Sequence, residues 1–314
     1  MKTTLKITVV LLLAVTVLFA GCEKKQTFIN IASGGTSGTY YALGGGMAKI
    51  WNEKIPGMNA TVQSTGASVA NVNLLKEGKV DIIFVQNDIA YYAANGLEMF
   101  QNNSFTGLQG VAVLYSETCQ LIALASSGIK SVADLKGKRV AVGAAGSGVE
   151  ANARQIMEAA GITYKDISVQ YLSFSEAANN LKDGNIDAAF LTAGFPTAAV
   201  SDVAASKDIV IINLDPDIIG KLTSLYPFYT RITIPAGTYP KQTADVQTVA
   251  VKAMLAATSN LPASTVENLL KVMYENQDAL IAAHKQGNYI TKATGLEGMP
   301  LPLHKGAEQF FNKK

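Results

Sequence analysis

The chain has 314 residues, enough for one large domain or two ordinary ones. At 48% hydrophobic and 16% charged residues, it has the make-up of a packed protein, which excludes a disordered chain. The formal net charge is +2 and the arginines are only Arg139, Arg154 and Arg231, so no basic stripe marks a nucleic-acid surface.

The start MKTTLK is short and basic, with Lys2 and Lys6, and the apolar run ITVVLLLAVTVLFA follows it. That run has the length of a signal-peptide core and falls short of the ~20 residues of a spanning helix. Residues 1–21 therefore read as a signal peptide. Leu18-Phe19-Ala20-Gly21-Cys22 looks like a bacterial lipobox, in which Cys22 becomes the first residue and is lipidated. Phe19 departs from the usual Leu, and an ordinary signal peptide with a chance cysteine stays open. Residues 22–27 form a polar tether. Cys119 is then left without a partner, so no internal disulfide is expected. Its run TCQLIALA is that of a buried small hydrophobe.

Phe28 to Trp51 reads as a strand, a Gly/Ser/Thr turn and a helix, and NATVQST as a second strand. LLKEGKVDIIFVQND, Leu74 to Asp88, reads as a helix end, a stop at Gly78, Asp81, a buried strand and a polar loop; IAYYAANG is the next helix. The plan recurs in Lys138 to Gly161, in ISVQYLS and in NLKDGNIDAAFLTAG. There Gly184 and Asp187 take the places of Gly78 and Asp81, about 106 residues on. Two α/β units with mostly parallel sheets and covered faces follow. SLYPFYTRITIPAGTYP is a strand-rich return and VQTVAVKAMLAATSNL a strand with a polar break. Pro262 to His284 reads as one amphipathic helix, with Val266, Leu269, Leu270, Met273 and Leu280 on its period. This last part is expected to cross back and complete the first domain.

Ligands of open α/β sheets sit beyond the carboxyl ends of the strands. Here those ends carry SGGTSGTYY, QSTGAS and QND in one unit, and GAAGSG, LSFSE and LTAGFP in the other. These loops are polar and almost uncharged, which suits a cleft for a small polar molecule. VGAAGSGVEANARQIMEAAG brings a helix N-terminus to the cleft, and such a terminus attracts anions. Gly143 to Gly148 fails as a phosphate loop, because Val149 and Glu150 stand where Lys and Ser/Thr are needed. Ser147-Gly-Val-Glu150 also matches a capping box, so Ser147 either caps, or binds, or does both. Ser131-Val-Ala-Asp134 starts a helix in the same way. Asp88 either pairs a ligand amine or caps its helix. His284 and His304 are the only histidines; zinc spacing and a G-x-S-x-G elbow are both missing, so neither a metal site nor a serine hydrolase is expected.

IASGGTSGTYYALGGGMAKIWNEKIPG, VQSTGAS, IIFVQNDIAYYA, VGAAGSGVEANARQI, YLSFSEAANNLKDGNIDAAFLTAGFPTAAV and FYTRITIPAGTYPKQ together resemble the TAXI-type solute receptors of tripartite ATP-independent periplasmic (TRAP) transporters. The likeness runs from about Phe28 to the C-terminus. It implies a type II periplasmic-binding-protein fold, two α/β domains with a ligand cleft and two hinge-crossing strands. Domain I is expected at 28–118 plus 226–314 and domain II at 119–225. The resemblance implies no catalysis, no cofactor, and a TRAP membrane permease as partner. It implies glutamate, glutamine or a related dicarboxylate as ligand, and a place outside the bacterial cytoplasm, held to the cell membrane by the lipid alone. The larger TRAP receptor class grips a carboxylate with one Arg, which has no counterpart here: Arg154 lies about two turns into its helix and Arg231 on the return strand. The expected site is therefore built from loops. Amides at Ser147, Gly148 and Val149 hold a carboxylate, and Gly35, Thr36 and Tyr40 close from the twin loop. Ser64, Thr65, Gln86, Asn87 and Asp88 form one wall, with Thr192 and Gly194 opposite. A ligand-sensing receptor for a membrane signalling protein and an enzyme on the same fold are the competing readings.

Overall fold

The structure, a computed structural model, describes residues 26–313. The signal peptide, Cys22 and most of the tether lie outside the described residues. Among those described, no helix is long and apolar enough to cross a membrane.

The first unit runs β1 (Thr27–Ala32), α1 (Thr39–Lys54), β2 (Met58–Gln63), α2 (Ser68–Lys76), β3 (Ile82–Gln86) and α3 (Asn87–Asn95). β3 is IIFVQ, buried at every position, as a strand covered on both faces must be. Gly78 follows the end of α2 at φ 68°, a left-handed conformation that favours glycine. The long strand β4 (Gln109–Leu124) leads to the second unit. It consists of β5 (Arg139–Ala141), α4 (Gly148–Ala159), β6 (Ser168–Gln170), α5 (Phe174–Lys182), β7 (Ala188–Ala193), α6 (Ala198–Ser206), β8 (Ile209–Ile211), α7 (Pro216–Leu225) and β9 (Thr230–Ile234). The chain returns along β10 (Val246–Ala257) and ends with α8 (Ala263–Glu275), α9 (Gln277–Ala283) and α10 (Lys305–Asn312).

The two units share one plan. β2, β1 and β3 are parallel, and β10 joins β3 antiparallel. β6, β5 and β7 are likewise parallel, and β4 joins β7 antiparallel. The repeated aspartates do the same work in each. Asp81 Oδ2 accepts from the Asn30 amide of β1 at 2.7 Å, and Asp187 Oδ2 from the Arg139 amide of β5 at 2.8 Å. Each ties the start of one strand to its neighbour.

β4 and β10 pair from Gln109/Ala257 to Thr118/Ala250, so the ten strands form one hydrogen-bonded sheet through both lobes. Register shifts at Ala253/Met254 and Leu255/Ala256 bend the pair where it passes between lobes. The fold is thus the expected two-domain type with two crossing strands, but the return crossing lies later than the sequence suggests. Tyr229, Val249 and Val251 pack with Leu121, Val140 and Ile156, while Ile234, Tyr239 and Val246 pack with Ala189, Leu191 and Val200. Residues 226 to about 250 therefore belong with the 119–225 lobe. The reason is β9, which pairs only with the first half of β10.

Each lobe has cores on both sheet faces. In the first, α1 and α8 cover one face through Leu43, Trp51 and Leu269, and α2 and α3 the other through Val72 and Ile89. The helix expected over Pro262–His284 is two helices, broken at Asn276 (φ −123°, ψ 40°). The apolar period crosses the break because both pieces pack on one core.

Candidate functional site

The carboxyl ends of the two parallel sets face each other across a cleft closed by both lobes. Gly34, Gly35, Gly38, Thr39 and Tyr40 line it from the first βα turn, Thr65 to Ser68 from the second, and Gln86 from the third. Ala144 and Ser147 to Val149, Ser173 and Phe174, and Thr192 and Ala193 line it from the other lobe, with Glu117 of β4 at the hinge. The cavity volume is about 60 Å³. One water needs about 10–15 Å³ on that measure and takes about 30 Å³ of liquid, so the space is that of four to six waters, about 120–180 Å³. A small organic acid fits that space; a nucleotide does not.

α1, α2, α4 and α5 begin at residues that line the cleft, which brings helix N-termini and their positive dipole ends to it. α1 starts after Gly38 and α2 after Ala67, neither of which supplies a side-chain cap. Ala67 has φ 69° and ψ −145°, a region that residues with a Cβ rarely occupy, so the turn into α2 is held under strain beside the cavity. α4 starts after Ser147, whose Oγ accepts from the Glu150 amide at 3.3 Å. The expected box is only half made, because Glu150 Oε1 accepts from Tyr164 Oη at 2.6 Å. α5 has a complete box between Ser173 and Glu176. The box at Ser131–Asp134 is also complete, and it opens a 3₁₀ turn.

The structure brings together eight of the expected site residues: Gly35, Tyr40, Thr65, Gln86, Ser147, Gly148, Val149 and Thr192. Five stand elsewhere. Thr36 and Ser64 are exposed on the outer side of their turns. Asn87 turns to the sheet, where Oδ1 accepts from the Lys252 amide at 3.0 Å and Nδ2 donates to Gly298 O at 3.2 Å. Asp88 is buried beneath the cleft and accepts from Asn152 Nδ2 at 3.0 Å. The Gly194 carbonyl accepts from Thr39 Oγ1 at 3.3 Å, and its Cα packs on Gln286. The Ser147 amide also drops out as a ligand donor, since it donates to Ala144 O at 3.1 Å.

Among the retained residues, some hydroxyls hold the loops. Thr65 Oγ1 donates to Asn71 Oδ1 at 2.6 Å, and Asn71 Nδ2 donates to Ser33 O at 2.6 Å and Phe84 O at 2.8 Å. Thr192 Oγ1 donates to Cys119 Sγ at 3.6 Å; Cys119 is free and buried, and burial raises its thiol to about 12. Gln86 has a special place. Its Nε2 donates across the lobes to Asn152 Oδ1 at 3.1 Å, while its buried Oε1 has no partner. Gly148 lies directly against that oxygen.

Sequence reasoning missed Glu117, Ser68 and Phe174. Glu117 is the one charged residue in GVAVLYSETCQLIALA, and that isolation is the signal that could have found it. Its Oε2 accepts from Tyr40 Oη at 3.0 Å and its Oε1 from Tyr115 Oη at 3.2 Å. Burial raises its carboxyl to about 8, against the pull of these hydrogen bonds. Burial likewise raises Asp88 to about 6.

Among the described residues, no Lys, Arg or His lines the cleft. Arg154 pairs instead with Glu98 at 3.0 Å across the lobes, and Arg231 is exposed on β9. His284 and His304 act as helix caps, their Nδ1 atoms accepting from Gln286 and Gly306 amides. No group of three or more His, Cys, Asp or Glu among the described residues is arranged to hold a metal ion.

The fold has counterparts among solved structures. The periplasmic aliphatic sulphonate binding protein SsuA from Escherichia coli is 18% identical, with a TM-score of 0.51 over 91% of this chain and 79% of that one. PhnD1 from Prochlorococcus marinus (MIT 9301), solved in complex with methylphosphonate, is 10% identical, with a TM-score of 0.56 over 84% of this chain and 91% of that one. At such identities the likeness carries the fold. The profile of the NMT1-like family matches residues 31–314, and the chain belongs to that family.

Proposed function

We propose that this protein is a solute-binding receptor, without catalysis, that captures a small acid between its lobes and hands it to a membrane transporter. The observation that carries the reading is the cleft between the lobes, at which helix N-termini from both lobes meet. α4 offers the Gly148 and Val149 amides, which have no acceptor inside their own helix. Such donors are fixed in place and gain strength once water is excluded. Thr65, Ser68 and Tyr40 close the opposite side.

The finer reading is a lipid-anchored receptor outside the cytoplasm that serves a TRAP-type permease and binds a carboxylate such as glutamate or glutamine. Its support is the sequence resemblance to TAXI-type receptors. Two fold relatives are named for a sulphonate and a phosphonate, so those acids belong in the test. Thermal unfolding of the purified protein with glutamate, glutamine, 2-oxoglutarate, an alkanesulphonate and methylphosphonate addresses the ligand. A ligand at a hundred times its Kd adds about 2.7 kcal/mol, a rise on the order of 2–4 °C for each kcal/mol at this size. No rise with any acid, after unfolding and refolding to strip bound ligand, would overturn the small-acid reading. Uptake that collapses with an ionophore and survives ATP depletion would favour the TRAP class; the reverse would favour an ATP-driven transporter.

A further inference from the structure

The α4 side of the cleft offers the Gly148 and Val149 amides to an anion, yet the floor is an acid. Glu117 sits midway along the first crossing strand, opposite Val251 of β10, and is only 2% exposed. Its oxygens accept the two tyrosine hydroxyls, and the Gln86 side chain also reaches the carboxyl, which leaves one of about four acceptor positions for a further donor. The groups facing it are Tyr40 from α1, Tyr115 from its own strand, Gln86 from the end of β3, and Asp88 from α3; Cys119 follows two residues on. None of these carries positive charge. Lys252 pairs with Ser116 and lies with it on the other face of the sheet, where both line a separate cavity. His284 caps Gln286 through Nδ1 and meets Thr39 Oγ1 through Nε2 at 3.5 Å, with no contact to Glu117, and burial lowers its pKa.

A buried carboxyl that lines a cavity with no protein cation against it stays neutral while the cavity is empty, and becomes a carboxylate when a ligand brings a cation to it. We infer that Glu117 is the receptor's contact for a cationic amino group of the ligand, so that the ligand class is a zwitterionic amino acid and not a plain carboxylic, sulphonic or phosphonic acid. The inference rests on the receptor reading above and deepens it. The ligand's carboxylate lies at the Gly148 and Val149 amides, and its ammonium lies on Glu117 between Tyr40 and Tyr115.

A proton follows from this arrangement. With the cleft empty, burial keeps Glu117 neutral at pH 7. An ammonium against it favours the carboxylate form. The neutral carboxyl and the ligand ammonium become a carboxylate–ammonium pair, and one proton leaves to solvent. The sign is fixed: because binding releases a proton, affinity rises with pH up to about 8 and levels off above it.

The test uses matched pairs that differ only in an amino group: L-glutamate with glutarate, L-alanine with propionate, and L-leucine with 4-methylpentanoate. Calorimetric titration of the refolded protein in phosphate and in Tris gives both affinity and proton count. The expected result is at least tenfold tighter binding of one amine-bearing member over its partner, with release approaching one proton at pH 7. Glu117→Gln should lose that preference and the proton release. The wild-type comparison needs no variant, so a misfolded Glu117→Gln leaves the inference testable. A deamino acid bound as well as or better than its amino partner would overturn the Glu117 assignment and leave the small-acid receptor standing. Binding of none of the six, nor of the sulphonate or phosphonate, would overturn both.

Discussion

The contact between Gly148 and Gln86 makes closure of the cleft sensitive to a single methyl group. A Cβ on residue 148 would stand 1.8 Å from Gln86 Oε1, 2.5 Å from Gln86 Cδ and 3.1 Å from Ile89 Cγ1. A close C–H···O contact needs about 3.3 Å, so about 1.5 Å must be found. Gln86 is buried and its Nε2 is tied to Asn152, so the side chain cannot yield without losing that bond. Overpacking of this kind costs about 1–3 kcal/mol. Gly148 and Gln86 belong to opposite lobes, so an opened cleft is free of the clash and the whole cost falls on the closed state. Alanine also suits a helix better than glycine. Gly148→Ala should therefore leave the empty protein's unfolding midpoint unchanged or slightly raised. It should weaken ligand binding about 5- to 150-fold, at 1.4 kcal/mol per tenfold. Calorimetric titration beside thermal unfolding separates the two effects. A Kd within twofold of wild type would refute the close approach of the lobes at this point.

Three further outcomes are expected. Asp88 is raised by burial to about 6, above its unfolded value, so the folded state prefers it neutral; its stabilising contribution is fully present below about pH 4 and is lost as pH rises through 6. Asp88→Asn should thus gain on wild type between pH 4 and 7 in urea unfolding, and a flat difference would refute the burial of an unpaired carboxylate. Asn71→Ala removes three hydrogen bonds of a buried amide, to Thr65 Oγ1, Ser33 O and Phe84 O, while Thr65 Oγ1 still donates to Ser33 O at 3.0 Å; it should cost about 1–3 kcal/mol by the same assay; a loss under 0.5 kcal/mol would mean that water replaces the amide. Arg154→Ala removes a partly exposed pair with Glu98, so it should cost about 1 kcal/mol or less and change ligand Kd by less than fivefold. Abolished binding in that variant would instead make Arg154 the guanidinium that grips a carboxylate.

The fold was legible because its signals repeat. Gly78 and Gly184 stop equivalent helices, and Asp81 and Asp187 clamp equivalent strands, so one unit vouches for the other. The carboxyl-end loops followed from topology alone. Which side of each turn faces the cleft did not, because side-chain direction depends on a few dihedral angles and not on composition. Thr36 and Ser64 therefore read like Thr65, though they face solvent. The return crossing was hidden for another reason: β10 is one continuous strand, and nothing in its pattern marks where it leaves β9 for β3. Glu117 escaped because its partner Tyr40 lies 77 residues away, and a lone acid in an apolar strand has no period to announce it.

The bonds that hold the lobes together explain how a small ligand could decide their position. Thr39 to Gly194, Gln86 to Asn152, Gln155 to Tyr92, Gln286 to Phe195 and the Ala70 amide to Gly146 all cross between lobes, and all are neutral; the one ion pair described across the lobes, Arg154–Glu98, is partly exposed and screened by solvent. Each replaces bonds to water and contributes about 0.5–1.5 kcal/mol net. Asp88, buried against Asn152 with no cation, opposes them at neutral pH. Closure is then a near balance of small terms, and a ligand with a few kcal/mol of differential affinity is enough to shift it. A buried ion pair in place of these amides would make the closed state depend on its own charges, and breaking it would leave a charge uncompensated. Neutral contacts leave the decision to whatever completes Glu117 and the α4 amides at the same time.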